Sequence, residues 1–167
     1  IAAPKAYDKN AGNVWSGNDK SRGKVLIYQL NGDNQFEFKS EILASDVQND
    51  NFYELNHISL SKNGNFLAIA AKYSYVVYDI TDKTSPTRRG NSQSLGYEEN
   101  GDYFDSEIKS ISLNQDGTIR AIGYKTKSYN IDSYKVFIEE WKDGSWNSLG
   151  NITEQQNFDL NGCSINL

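Results

Sequence analysis

The chain has 167 residues, 37% of them hydrophobic, with 11 Tyr, 7 Phe and 3 Trp. That is enough apolar material for one folded domain. The net charge of −5 argues against nucleic acid and anionic membrane as partners, because both select clustered Lys and Arg. No apolar run approaches the roughly 18 residues of a membrane helix, so no membrane insertion is expected.

The opening "IAAP" reads like the interior of a strand. Residues 5–22 then form an insertion that later parts of the chain do not echo. Within it, Asp8, Asn10 and Gly12 make a partial D-x-N-x-G, so Asp8 and Asn10 are the candidate calcium ligands. A Gly/Asn-rich surface loop is the alternative. Trp15 lies in the same insertion, either as a stacking surface for a ligand or as local core. "KVLIYQL" (24–30) and "FEFKSEI" (36–42) follow as strands.

"HISLSKNGNFLAIAAK" (57–72) is repeated as "SISLNQDGTIRAIGYK" (110–125), a shift of 53 from residue 57 to residue 110. "HISLS" alternates, with Ile58 and Leu60 on one face and His57, Ser59 and Ser61 on the other. "KNGN" and "NQDG" read as hairpin turns, in which Gly64 and Gly117 supply the left-handed residue. "FLAIAA" (66–71) is nearly continuous in apolar residues. It suits a strand buried on both faces, with alanines that let a neighbouring sheet come close. "YVVYDI" (75–80) and "KVFIEEW" (135–141) match "KVLIYQL", while "SWNSLG" (145–150) resembles a fourth strand.

Longer anchors agree. Leu43, Leu95 and Leu149 precede Phe52, Phe104 and Phe158, and each Phe is followed by Ile58-Ser59-Leu60, Ile111-Ser112-Leu113 or Ile165-Asn166-Leu167. No segment shows a helical stripe, so almost no helix is expected.

About four antiparallel strands per repeat of this length predict an all-β fold of β-propeller-type blades. The blades are expected at about 1–44, 53–96 and 106–150, within a single repeat region covering 1–167. Residues 162–167 are expected to supply the inner strand of the first blade. Propellers use about four to eight blades, so three imply part of a larger propeller or an assembly of copies. The chain contains no Met, which suggests a processed product or a fragment.

Candidate chemistry is sparse. His57 is the only histidine and has no serine in a nucleophile elbow beside it; a polar strand residue is expected. Cys163 is the only cysteine, so no internal disulfide can form, and a buried structural thiol is expected. "EENGDYFDSE" (98–107) gathers five carboxylates, which could include a glycosidase pair or form a solvated acidic loop. Arg88–Arg89 is expected to be a solvated loop. "TDKTSPTRRGNSQS" (81–94) is either an O-glycan carrier or a polar connection. Asn151 in "NIT" is an N-glycosylation acceptor, and Asn161 in "NGC" is the rarer Cys form.

"IAAP…GKVLIYQL" resembles the GAP…G-x-V-x-V-Y pattern of FG-GAP, integrin-α-like propeller repeats. Trp146-x-x-Leu149-Gly150-x-Ile152, with Ile111-x-Leu113-x-x-Asp116-Gly117 and Ala121-Ile122-Gly123, resembles propeller repeats of large predicted surface and secreted proteins of microbes and algae. The resemblance implies a propeller fold and an extracellular or cell-surface setting. It departs at the calcium loop: "SKNGN" and "NQDGT" carry too few carboxylates for D-x-D-x-D-G, so no cofactor is expected and calcium lacks a complete motif. The Gly-His and Trp-Asp marks of WD40 repeats are also missing.

The expected function is a non-enzymatic extracellular structural or interaction module, self-assembling into a ring or filament. Its partners would be copies of itself or the remainder of a larger propeller, with glycans or surface proteins at its loops. The alternatives are a carbohydrate-binding, lectin-like propeller and a fragment of a propeller glycosidase.

Overall fold

The structure is a computed structural model that describes residues 2–7, 22–43, 46–47, 55–95, 97–99, 102–104, 106–128, 131–154 and 167. Among these there is no α-helix. Among the described residues, three antiparallel sheets of three or more strands follow one another, with a two-stranded ribbon before the last. The first contains β1 (Ala2–Tyr7), β2 (Arg22–Leu30) and β3 (Phe36–Leu43) in that order. The second contains β4 (Leu55–Leu60), β5 (Phe66–Ala71) and β6 (Ser74–Asp79), with β7 (Thr87–Arg88) and β8 (Gln93–Ser94) both paired to β6. A two-stranded ribbon, β9 (Tyr97–Glu99) and β10 (Asp102–Phe104), precedes the third sheet. That sheet runs β11 (Ser106–Leu113), β12 (Ile119–Ser128), β13 (Ile131–Lys142) and β14 (Ser145–Glu154) in simple meander order.

The echoing stretches form matching hairpins. Ile58 pairs with Ile69 in β4–β5, and Ile111 pairs with Ile122 in β11–β12. Their turns share one hydrogen-bond plan. The Ser61 and Asn114 N–H groups donate to Phe66 O and Ile119 O, and the Gly64 and Gly117 N–H groups reach back to Ser61 O and Asn114 O. Both glycines are left-handed, at φ 72° and 71°, the conformation that a Cβ disfavours. The side chains differ while the bond is kept: Ser61 Oγ accepts the Phe66 N–H, and Asn114 Oδ1 accepts the Ile119 N–H.

The sheets stack face to face, and two apolar layers hold them. Val25, Ile27 and Ile42 of the first sheet meet Leu55, Leu67, Ile69, Val76, Tyr78 and Ile80 of the second. The opposite face of the second sheet, through Ala68, Ala70, Tyr75 and Val77, meets Ile108, Ile111, Leu113 and Ile122 of the third. The central sheet is therefore covered on both sides. Leu67 to Ala71 are all at most 4% exposed, which is why β5 reads as an unbroken apolar run. Ala68 and Ala70 keep the second layer thin.

The "TRRGNSQS" stretch is not a bare polar connection. It supplies the outer edge of the second sheet in two short pieces, β7 and β8. Gly90, at φ 85°, separates them, and a Cβ there would stand 3.0 Å from the Trp141 ring. The strand breaks where the backbone lies directly on an indole.

Candidate functional site

The inner strands build the first feature. The Leu113 N–H donates to Ser59 Oγ (3.0 Å), tying β11 to β4. The Leu167 N–H donates to Ser112 Oγ (3.2 Å). Ser59 and Ser112 are equivalent in the repeat, as are Leu113 and Leu167, so the same bond is made twice. Between these elements lies a cleft of about 580 Å³, lined by Ser59, Leu60, Lys62, Ser112, Leu113, Asn114, Gln115 and Leu167. The Asn63 N–H donates to Gln115 O across the same gap (3.1 Å). Hydroxyls, amides and one ammonium there offer hydrogen bonds to a polar ligand.

The second feature is a cation sandwich between the second and third sheets. Arg120 takes the place in β12 that Leu67 takes in β5, and it is fully buried. Its Nε donates to Glu139 Oε2 (2.8 Å). The guanidinium lies 4.6 Å from the Tyr75 ring and 4.0 Å from the Trp146 ring. Its terminal nitrogens find no hydrogen-bond partner among the described residues. The two rings give them π faces instead. The Tyr75 hydroxyl donates to the same Glu139 oxygen (3.2 Å). Burial, then the Glu139 charge, push the Tyr75 phenol far above its ordinary value, so it remains a donor.

Arg89 forms a second such cluster, and here the expectation of a solvated Arg88–Arg89 loop fails. Its guanidinium lies 4.2 Å from the Phe66 ring and 5.0 Å from the Trp141 ring. Nη1 donates to Gly117 O (2.9 Å), and the Arg89 carbonyl accepts the Trp146 indole N–H (3.0 Å). Arg88 is exposed, yet its guanidinium also reaches the Asp46 carbonyl. The physical reason is the three-ring wall from the neighbouring turn and strands, which no local pattern announces. The adjoining hydroxyl-rich segment is likewise engaged: Lys83 Nζ donates to Ile80 O and Gly64 O, and Asp82 Oδ1 accepts from Thr84.

The third feature is an open face on the first sheet and, on the third, a face buried at Ser112 and Ala121 but uncovered toward its outer strand. On the first sheet, the side turned away from the second carries Tyr28 (40% exposed), Leu30 (51%), Phe36 (77%) and Phe38 (51%). Phe38 stands opposite Tyr28 in the ladder, and the rings meet edge to face at 5.7 Å. Phe36 stands opposite Leu30. On the third sheet, the side turned away from the second carries the half-buried Val136 and Ile138 and the exposed Ile152, which pairs with Val136.

Of the residues singled out by sequence, His57 is half-buried on β4. Its imidazole is held below its ordinary pKa by burial, reinforced by Lys109 and opposed by Glu107. Glu107 is ion-paired with Lys109 (2.9 Å). The other carboxylates of 98–107 lie outside the described side chains. Among the described residues no three His, Cys, Asp or Glu side chains gather as a metal site. Asn151 is exposed on β14, opposite Phe137. Asp8, Asn10, Trp15, Asn161 and Cys163 lie outside the described residues, as do 162–166 of the segment expected to complete the first blade. Sequence reading missed Arg120, Glu139 and the open aromatic face. Laying "FLAIAA" over "IRAIGY" shows Leu67 replaced by Arg120, and that mismatch was the available signal.

No protein-family model matches the chain, and no curated protein matches it. A solved structure does: a protein from Lactobacillus plantarum determined by the Northeast Structural Genomics Consortium, with a TM-score of 0.50 and 16% identity. The match covers 77% of this chain and 35% of that one, so the chain spans about a third of the neighbour's length. Taken with the serial antiparallel sheets, this likeness shows an all-β, propeller-like fold.

Proposed function

We propose that the chain is a non-enzymatic structural and interaction module built from propeller-type repeats, working at the cell surface or outside the cell. Its activity is packing: each sheet offers a front and a back to neighbouring sheets of the same kind.

One comparison carries this reading. Val76, Tyr78 and Ile80 on the front of the second sheet are at most 4% exposed, because the first sheet covers them. Tyr28 and Leu30 occupy the places of Tyr78 and Ile80 in "KVLIYQL", and they are 40% and 51% exposed. Burying a side chain of this size is worth about 1.5–3 kcal/mol. An uncovered patch of several is a standing drive toward association, opposed by the entropy of binding. The extracellular part of the reading is supported by the exposed Asn151 acceptor and by the FG-GAP-like and surface-protein motifs. Light scattering on the purified chain tests it. Particles larger than one chain are expected, and a compact monomer across the micromolar range would overturn the reading.

A second reading is carbohydrate binding in the cleft between the inner strands. The hydroxyl and amide lining from Ser59, Ser112 and Gln115 favours it. A glycan array on the intact chain, repeated with Gln115→Ala, is its check. Signals that ignore this substitution would remove the cleft from consideration. The glycosidase reading needs paired carboxylates facing a common cleft, and no specific observation favours it.

A further inference from the structure

The geometry points to a head-to-tail interface between two copies of this chain: the open front of the first sheet receives the outer, uncovered part of the back of the third sheet of a second copy. This rests on the packing-module reading above and gives it a partner, a polarity and named residues.

Three observations converge on the same partner. The front of the first sheet carries Tyr28, Leu30, Phe36 and Phe38 at 40–77% exposure, where Tyr78 and Ile80, the second sheet's equivalents of Tyr28 and Leu30, are core. The back of the third sheet carries Val136 and Ile138, which stand in "KVFIEEW" where Tyr75 and Val77 stand in "YVVYDI". Tyr75 and Val77 are the residues that the third sheet covers within one molecule. So each open face is of a type that already packs against the other type inside the chain.

Leu167 is the third observation. It bonds to Ser112 as Leu113 bonds to Ser59, which places it at the inner-strand position of a following sheet. Among the described residues the first sheet has three strands, β1–β2–β3, and none inside β1 in the place that β4 and β11 hold in the other two. A second copy docked front to back would bring its first sheet beside Leu167. One docking movement would then cover both faces and set Leu167 against the edge that lacks an inner strand. Such a contact is heterologous: it closes into a ring where the rotation permits and otherwise extends as a filament. The three larger sheets among the described residues, taken from two copies, make six, within the range of closed propellers.

The test uses two single variants of the chain, Phe38→Glu on the front and Ile152→Glu on the back. Both sites are exposed, at 51% and 61%, so folding is expected to survive and is checked by circular dichroism. Wild type is expected at twice the chain mass or more, and each variant alone at the mass of one chain. An equimolar mixture of the two retains one intact front and one intact back. It is expected to recover particles of two chains and to stop there, whatever the concentration. If the associated state persists in both variants, or the mixture stays monomeric, the head-to-tail interface is overturned while the packing module stands. A monomeric wild type overturns both.

Discussion

The hairpins β4–β5 and β11–β12 are written in nearly the same words, yet they meet their neighbours differently. Beside the first, Leu67 of β5 stands opposite Tyr78 of β6, and both pack into an apolar layer. Beside the second, the equivalent pair is Arg120 and Glu139, an ion pair between a fully buried guanidinium and a carboxylate 14% exposed. Repeats that share a backbone plan can thus vary the chemistry between sheets, provided that each buried polar atom is answered. Here the answer came from Tyr75 and Trp146, on two different sheets. The turns make the same point. Gly64 and Gly117 have the same φ, but a Cβ on Gly64 would meet nothing, whereas one on Gly117 would stand 2.4 Å from the Phe66 ring.

The sharpest way to break this comparison is Glu139→Ala. It leaves the Arg120 charge buried without its counter-ion, and breaking a buried pair costs about 3–5 kcal/mol. Tyr78→Phe at the equivalent place loses the hydroxyl's bond to Asp46 O and the long one it accepts from Arg88 Nε, about 1–2 kcal/mol together. Urea denaturation of both variants should show that ordering; equal losses would mean that the ion pair is not structural.

The two turns come next. Gly64→Ala should cost about 1–2 kcal/mol from the left-handed backbone alone. Gly117→Ala should add about 1–3 kcal/mol for the displaced Phe66 ring, and thermal melts of the two variants measure the gap. Making the second pair apolar, as Arg120→Leu with Glu139→Phe, sharpens the contrast. Replacing a buried ion pair by apolar residues is often neutral or stabilising, by about 1–4 kcal/mol. A large loss would show that the cation sandwich specifies how the sheets pack.

The smallest effect concerns pH. His57 has its folded pKa lowered, chiefly by burial. The unfolded chain therefore binds the proton first as pH falls, and stability declines on the acid side of the ordinary histidine value of about 6.5. Above that value both states are neutral and the contribution is constant. His57→Gln should flatten the decline below about pH 6.5, and an unchanged profile would assign it to other groups.

Much of the fold was legible because its signals are local. Alternation in "HISLS", the glycine turns at Gly64 and Gly117, and the apolar run at 66–71 each follow from the strand period and backbone sterics. The site was far less legible. Arg88–Arg89 reads as two surface cations until Phe66, Trp141 and Trp146 close around Arg89, and those rings lie far from it along the chain. Arg120 sits in an apolar run, where an arginine normally marks an edge; its partners Glu139, Tyr75 and Trp146 come from three other strands.

By itself, then, the sequence determined repeated β-hairpins, their turns and which residues of each strand share a face. These depend on neighbours a few positions apart and on a period of two. Only the tertiary structure decided which faces are covered. Tyr78 and Tyr28 sit in matching strands, and one is core while the other faces outward. The cause is a second sheet lying above the first of these and not the other, and burial is a property of what lies above a residue, which a strand's own letters do not encode.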